Sequence, residues 1–260
     1  MKFKICIKQV PDITAPTQIR DGELIMETDR MVLDAYSASA VEESLVLTEK
    51  YDGDVEVISA GPDKVKETIR KALAMGAHKA THIVTDDEKY DSATYAKILA
   101  AHFKKNDDYD IIALGKQSQD TDAGLTGSML AELLDLPYAT NAIALDLDTD
   151  NNNMIVTRQA DTAQEVIELP VPCIVTCSND MNDPRIPSLK GIMQSKRKPV
   201  DTVQLSDLGL DADKLRSESH TSITGYEEMP EREPGQKFEG EPKELAEKLV
   251  DLLDNEAKVL

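Results

Sequence analysis

Between residues 3 and 114, short apolar runs alternate with helix-periodic segments, and this alternation restricts the possible folds more than any other feature of the chain. Phe3-Lys-Ile-Cys-Ile7 alternates as a strand does and ends in Lys8-Gln-Val-Pro-Asp12, where Pro11 stops regular pairing. Thr17-Gln-Ile-Arg20 and Glu23-Leu-Ile-Met26 flank the turn pair Asp21-Gly22, which predicts a small hairpin beside a neighbouring site. Residues 34–50 space Ala35, Ala38, Val41 and Leu45 for a helix, with Asp34 or Ser37 as its cap. Residues 54–60 alternate as a strand, Gly61-Pro62 turns, and Asp63 is expected to cap a second helix through Ile69, Leu73 and Met75 that stops at Gly76. Residues 80–85 form a further short strand. Ser92 opens a third helix through Tyr95, Ile98, Leu99 and Phe103, and residues 109–114 return as a strand. Strands separated by helices at this spacing call for right-handed crossovers and a parallel sheet with helices on both faces.

The last of these strands runs into Gly115-Lys-Gln-Ser-Gln-Asp-Thr-Asp-Ala-Gly-Leu-Thr-Gly-Ser-Met129, and an apolar-periodic segment spans Leu125 to Leu136. In a parallel sheet such a loop sits at the carboxyl end of a strand, where the free amides of the next helix can hold a phosphate. Gly115 allows close backbone approach, Ser118 and Thr126 offer hydroxyls, and the amides around Gly124 to Gly127 lie where the helix starts. The pattern is neither a P-loop nor a three-glycine dinucleotide fingerprint, and its spacing alone fits an ordinary turn as well as a nucleotide site. Asp120 and Asp122 suit turn and cap roles better than an acid/base pair, because no histidine, serine triad or second carboxylate cluster stands nearby in sequence. No catalytic constellation is visible.

Beyond Pro137, residues 143–147, 154–158 and 164–169 read as short strands around a polar turn, added antiparallel beside the parallel sheet. Val171-Pro-Cys-Ile-Val-Thr-Cys177 is again a buried strand. From Asn179 long apolar runs cease, until residues 242–260 place Leu245, Leu249, Leu252 and Leu253 on a final amphipathic helix. An extended arm ending in a helix buries little apolar area by itself and is expected to wrap a partner, or else to pack on its own body. The expected organisation is a nucleotide-binding α/β domain over residues 1–205, including a loop at 184–198, followed by an arm over residues 206–260.

Charge narrows the function. A net charge of -20, from 49 acidic against 29 basic residues, argues against a broad nucleic-acid or anionic-membrane surface, so any phosphate must be gripped locally. Cys6, Cys173 and Cys177 lie in or beside buried runs, and the four histidines are scattered, which leaves no paired spacing for a metal site. No apolar stretch of membrane length is present, and a cytoplasmic location is expected.

Several segments together resemble one family. Lys8-Gln-Val-Pro-Asp12, Ala40-Val-Glu-Glu43, Gly61-Pro62, Glu67-Thr-Ile-Arg-Lys-Ala-Leu-Ala-Met-Gly-Ala77, Leu114-Gly-Lys-Gln117 with Asp120-Thr-Asp122 and Thr126-Gly127, and Pro184-Arg185 followed by Ser188-Leu-Lys-Gly-Ile-Met193 look like the beta, or small, subunit of an electron-transferring flavoprotein. The matches keep their order from residue 3 to about residue 210; the tail beyond matches only loosely.

The resemblance implies a doubly wound, Rossmann-like nucleotide-binding fold. It also implies a heterodimer with a larger alpha subunit that holds most of an FAD. In the ordinary branch the beta subunit buries AMP, and the pair carries electrons from flavin dehydrogenases to a downstream acceptor. In a bifurcating branch a second FAD takes the AMP place and accepts hydride from NADH. Carried over by position, AMP contacts are implied at Cys6, Asp34, Ala35, Tyr36, Ser37 and Ala60, and along Gly115, Lys116, Gln117, Ser118, Gln119, Asp120, Thr121, Asp122, Ala123, Gly124, Leu125 and Thr126. Tyr36 and Ile13 are implied to lie near the partner's flavin.

Two departures carry information. Asp34-Ala35-Tyr36 stands where the family commonly has Asn-Pro-aromatic, and a carboxylate there repels phosphate or bonds a ribose or base edge. Thr126-Gly127-Ser128 stands where bifurcating members tend to carry valine followed by Gly-Pro, and this favours AMP over a second FAD. Residues 186–193 resemble the family's recognition loop, with Leu189 as the anchor on a dehydrogenase, Ile192 and Met193 beside it, and Lys190, Lys196, Arg197 and Lys198 as a basic rim. A stand-alone nucleotide sensor on the same fold is the alternative from another class.

Overall fold

The computed structural model describes residues 1–26, 30–85, 90–230 and 234–260. It divides into two compact units, Met1–Gly225 and Tyr226–Leu260.

In the first unit, β1 (Lys2–Cys6) leads to β2 (Gln9–Pro11), the hairpin β3 (Thr17–Arg20) and β4 (Glu23–Met26), and β5 (Met31–Leu33). Then α1 (Ala35–Tyr51), β6 (Asp54–Gly61), α2 (Val65–Met75), β7 (Lys79–Val84), α3 (Ser92–Lys105), β8 (Ile111–Gly115) and α4 (Thr126–Leu134) alternate as the periodicity predicts. The strands β9 (Tyr138–Asp148), β10 (Asn153–Gln159), β11 (Gln164–Pro170) and β12 (Cys173–Cys177) follow. After them come α5 (Leu189–Ser195), β13 (Val200–Gln204), a 3-10 turn at Leu205–Leu208 and α6 (Ala212–Ser217).

Nine strands form one sheet in the order β11-β10-β9-β12-β8-β1-β6-β7-β13. From β9 to β13 all neighbours are parallel, with Ile5 opposite both Val57 and Ala113, and Val175 opposite Ala113. Only β10 runs against its neighbours, and it builds the expected antiparallel addition. Side chains alternate across the strands. Phe3, Ile5, Val55 and Val57 therefore pack with Val41, Leu45, Ile69 and Leu73 of α1 and α2, while Ile58, Ile112 and Ile174 pack with Ile98, Phe103 and Leu130 of α3 and α4. The doubly wound Rossmann-like class is thus observed.

One buried polar group interrupts the sheet near its amino end. Glu56 is 5% exposed and accepts from Lys4, Lys79 and Thr81 on the two neighbouring strands. Burial pushes its carboxyl upward, but the bonds from Lys4, Thr81 and Lys79 outweigh that and hold it at about 2.

The structure corrects several local expectations. Asp63 does not cap α2: the position before that helix is Lys64, which has no capping side chain, and the Asp63 carboxylate instead accepts from Lys66 at 2.7 Å. Pro11 does not end pairing outright, because β2 pairs with β5 in a separate two-stranded sheet in which Pro11 stands opposite Met31. The edge strand β13 was not foreseen. Its sequence Val200-Asp-Thr-Val-Gln204 is polar at three of five positions, so it carries no apolar run. The Asp21-Gly22 hairpin forms as expected, with φ of 54° and 78° as an inverted turn requires.

In the second unit α7 (Pro242–Asn255) begins with proline in its first turn and buries no residue; Leu249 and Val250 are exposed, and Lys248 lies over the Phe238 ring at 3.8 Å. Among the described residues no helix is long and apolar enough to cross a membrane.

Candidate nucleotide cleft and docking turn

The carboxyl ends of β1, β6 and β8 open into a cleft of about 470 Å³. That volume lies within the roughly 300–1,000 Å³ of small-molecule sites. Cys6, Ile58, Ala60 and Leu114 enter it from the strands, and the β8–α4 loop borders it from Gly115 to Gly127.

The shape of that loop follows from what holds it. Gly115 passes under the start of α1, where an added Cβ would stand 2.7 Å from the Tyr36 Cβ. Gly127 lies so close to the Thr176 methyl that no side chain fits there. Asp34 is fully buried: its Oδ2 caps α1 by accepting from the Ser37 amide at 2.9 Å and the Ser37 hydroxyl at 3.0 Å, and its Oδ1 accepts the Gln119 amide at 3.0 Å. Gln119 answers by accepting the Ala35 amide through Oε1 at 3.0 Å. Burial raises the Asp34 carboxyl above the ordinary carboxylate range, against the pull of those bonds and of Lys8. Farther along, the Gln117 amide donates to Asp122 at 2.8 Å, and Asp122 itself takes a left-handed turn at φ 52°.

Helix α4 starts with Leu125 before it, and no side chain caps its first turn. Thr126 and Gly127 line the cleft at that start. Lys8 reaches in from the link between β1 and β2, donating to Ser118 at 3.2 Å and to both oxygens of Asp120 at 2.7 and 2.9 Å. The acidic loop is therefore neutralised where it borders the cleft. What it presents is hydroxyls, glycine backbone and the unanswered amides of a helix start, a donor set for an anion such as phosphate.

The chain matches the Electron transfer flavoprotein domain family over residues 23–208. It is 31% identical over 264 residues to the electron transfer flavoprotein subunit beta of Bacillus subtilis, covering 100% of each chain. To the mouse subunit beta it is 33% identical over 245 residues, covering 92% of this chain and 93% of that one. It is also similar to the caffeyl-CoA reductase-Etf complex subunit CarD of Acetobacterium woodii, 35% identical over 215 residues and covering 81% and 80%. The chain belongs to the electron transfer flavoprotein beta-subunit family. Homologues bearing that name are electron carriers by designation.

Of the residues implied as nucleotide contacts, Cys6, Ser37, Ala60, Gly115, Lys116, Gln117, Ser118, Asp120, Thr121, Ala123, Gly124 and Thr126 line the cleft of this family member. Asp34, Ala35, Tyr36, Gln119, Asp122 and Leu125 lie outside its lining. Asp34 and Gln119 instead hold the loop to α1, and Leu125 is 58% exposed. Tyr36 is half-buried with the Lys116 ammonium 5.7 Å from its ring centroid, and Ile13 is 63% exposed. Burial of the Cys6 thiol pushes its pKa well up, so it serves as an apolar wall rather than a nucleophile. Sequence reading missed Lys8 as a cleft residue, although it opens the first quoted motif. It also missed Tyr90, Tyr95 and Thr221 to Ile223, which the fold brings to the same cleft. Among the described residues no cluster of histidine, cysteine, aspartate or glutamate could hold a metal ion.

The second candidate surface is α5. Ser188 caps it by accepting the Gly191 amide at 3.1 Å, and Leu189, Met193 and Ile192 are 76%, 65% and 45% exposed. Gly191 presses on the end of α2, where an added Cβ would stand 2.5 Å from the Ala74 carbonyl oxygen. Beneath it, Arg70 donates to the Ser195 and Lys198 carbonyls. The Lys198 ammonium donates to the carbonyls of Leu73, Gly76 and Ala77 at 2.9, 3.1 and 2.7 Å. Lys198 therefore answers the carboxyl end of α2 and is not part of a basic rim. Upstream, Arg185 pairs with Glu42 at 2.8 Å and Glu49 at 2.6 Å, tying the approach to this turn onto α1.

Proposed function

We propose that this beta subunit holds AMP in the cleft as a structural cofactor, in a heterodimer whose alpha subunit carries most of an FAD. The observation that carries the reading is the uncapped start of α4, set beside Thr126, Ser118 and Lys8 in a cleft of nucleotide size. The Thr126 hydroxyl and the amides that follow would hold the phosphate, and Cys6 and Ala60 would border the adenosine. The buried Asp34 keeps its carboxylate on protein donors and away from the phosphate.

The flavin supplies the redox chemistry, taking and giving one electron at a time. This chain supplies position. Leu189, Ile192 and Met193 form an apolar anchor for flavin-dependent dehydrogenases, and the pair passes electrons to a downstream acceptor. Of the arm, residues 226–260, with α7 and its exposed Leu249 and Val250, pack on the alpha subunit. The work is done in the cytoplasm, and the subunit is a carrier rather than an enzyme.

Co-expression with the alpha subunit, purification of the dimer and mass analysis of the denatured pair test this. About one FAD and one AMP per dimer are expected, the stoichiometry of a single carried flavin. Two FAD and no AMP would replace this reading with the bifurcating one, and stable, nucleotide-binding chain that ignores the alpha subunit would replace it with a sensor.

A further inference from the structure

The cleft has an apolar side formed by residues distant in sequence. Tyr90 and Tyr95 meet edge to face there, their centroids 5.8 Å apart at 79°, and Ile223 borders the same space. Ile223 arrives on a stretch that belongs to no helix or strand. That stretch leaves α6 at Glu218, which Lys97 of α3 approaches at 3.4 Å. Past Ser219, the amides of His220 and Thr221 donate to Asp91 Oδ2 at 2.8 and 3.2 Å. Thr221, Ser222 and Ile223 then border the cleft. The stretch ends at Gly225, where an added Cβ would lie 3.6 Å from the Gly22 carbonyl oxygen in the β3–β4 turn.

Asp91 has two tasks, one for each oxygen. Oδ1 caps α3 by accepting the Thr94 amide at 2.8 Å, while Oδ2 holds the crossing stretch. Burial pushes this carboxyl upward, but the bonds from Thr94, His220 and Thr221 outweigh it and keep the group ionised. Bonds from amides to a carboxylate are the strong kind. Among the described residues little else resists lifting of the stretch, because Ile223 is already 60% exposed and opening it forfeits little apolar burial.

We propose that residues 219–223 are a strap across the apolar side of the nucleotide cleft and that Asp91 is its latch, a positioning residue that sets how fast nucleotide enters and leaves. The proposal rests on the reading that the cleft holds AMP. The aromatic pair and Ile223 suit the base, while the uncapped start of α4 suits the phosphate, so the strap closes over the base.

The test uses the full chain co-purified with its alpha subunit, loaded with radiolabelled AMP and chased with unlabelled AMP. Asp91→Ser keeps one oxygen to cap α3 and removes the one that holds the strap. It is expected to raise both the release and the association rate by about tenfold, the scale of losing such bonds. Ile223→Ser, which thins the strap without touching the cap, should raise release by about threefold. A latch gates both directions, so faster release with an unchanged association rate would reduce Asp91 to a contact and overturn the latch. Unchanged rates in both variants would overturn the strap. A wild-type dimer with no exchangeable AMP would overturn the nucleotide reading, and the latch with it.

Discussion

Helices α1 and α4 both begin where the carboxyl ends of the sheet meet, yet they treat their first amides in opposite ways. Before α1 stands Asp34, buried, with one oxygen on the Ser37 amide and the other on the Gln119 amide of the β8–α4 loop. Before α4 stands Leu125, which offers nothing. A helix start favours negative charge through its unpaired amides and its dipole. The first helix brings its own anion and spends it on holding the loop in place. The second leaves the place open on the side where Lys8, Ser118 and Thr126 converge. Two neighbouring helix starts thus divide the work, one building the cleft and the other serving it.

Breaking the built-in anion should have the largest effect. Asp34→Ala removes the cap and strands the half-buried Gln119 amide. Together these should cost about 3 kcal/mol, read as a lower midpoint in urea unfolding. Asp34→Asn, which keeps an acceptor for one of the two amides, should lose about half as much; equal losses would show that the two bonds do not act separately.

On the open helix start the effect should fall on binding and spare stability. Thr126→Val removes one hydroxyl from the proposed phosphate position. AMP affinity should drop about tenfold by calorimetry, with the unfolding midpoint nearly unchanged. A matching loss of stability would mean that α4 was using the hydroxyl for itself.

The smallest effect belongs to the charge between them. Lys8→Met exposes the Asp120 carboxylate to the guest, and because Lys8 is 40% exposed the repulsion is screened. AMP binding should weaken about threefold at low salt and less at high salt. A loss indifferent to salt would remove Lys8 from the electrostatics of the site.

Much of this division was readable in the chain. The alternation from β1 to β8 has strong periodicity, so the parallel sheet and the cleft loop followed from spacing, and Asp34 was one of two candidate caps for α1. Other features depend on distance in space rather than in sequence. The strand β13 pairs at an edge with little apolar content, and its place is set by β7 rather than by its own pattern. The residues from Thr221 to Ile223 border the cleft on a stretch whose His220 and Thr221 amides Asp91 takes up, and no local signal marks such a partner. Lys198 looked like surface charge in a basic run, but the carbonyls at the end of α2 gave it a structural task.

That last arrangement makes α2 a strut. Lys64 and Val65 at its beginning border the cleft, and the carbonyls of Leu73, Gly76 and Ala77 at its end carry the pedestal of α5. Its 11 residues make a rod of about 16 Å, stiff along its axis. The spacing between the cleft and the proposed docking turn is therefore set by a count of peptide units, a ruler that side-chain substitutions along its middle leave the same length.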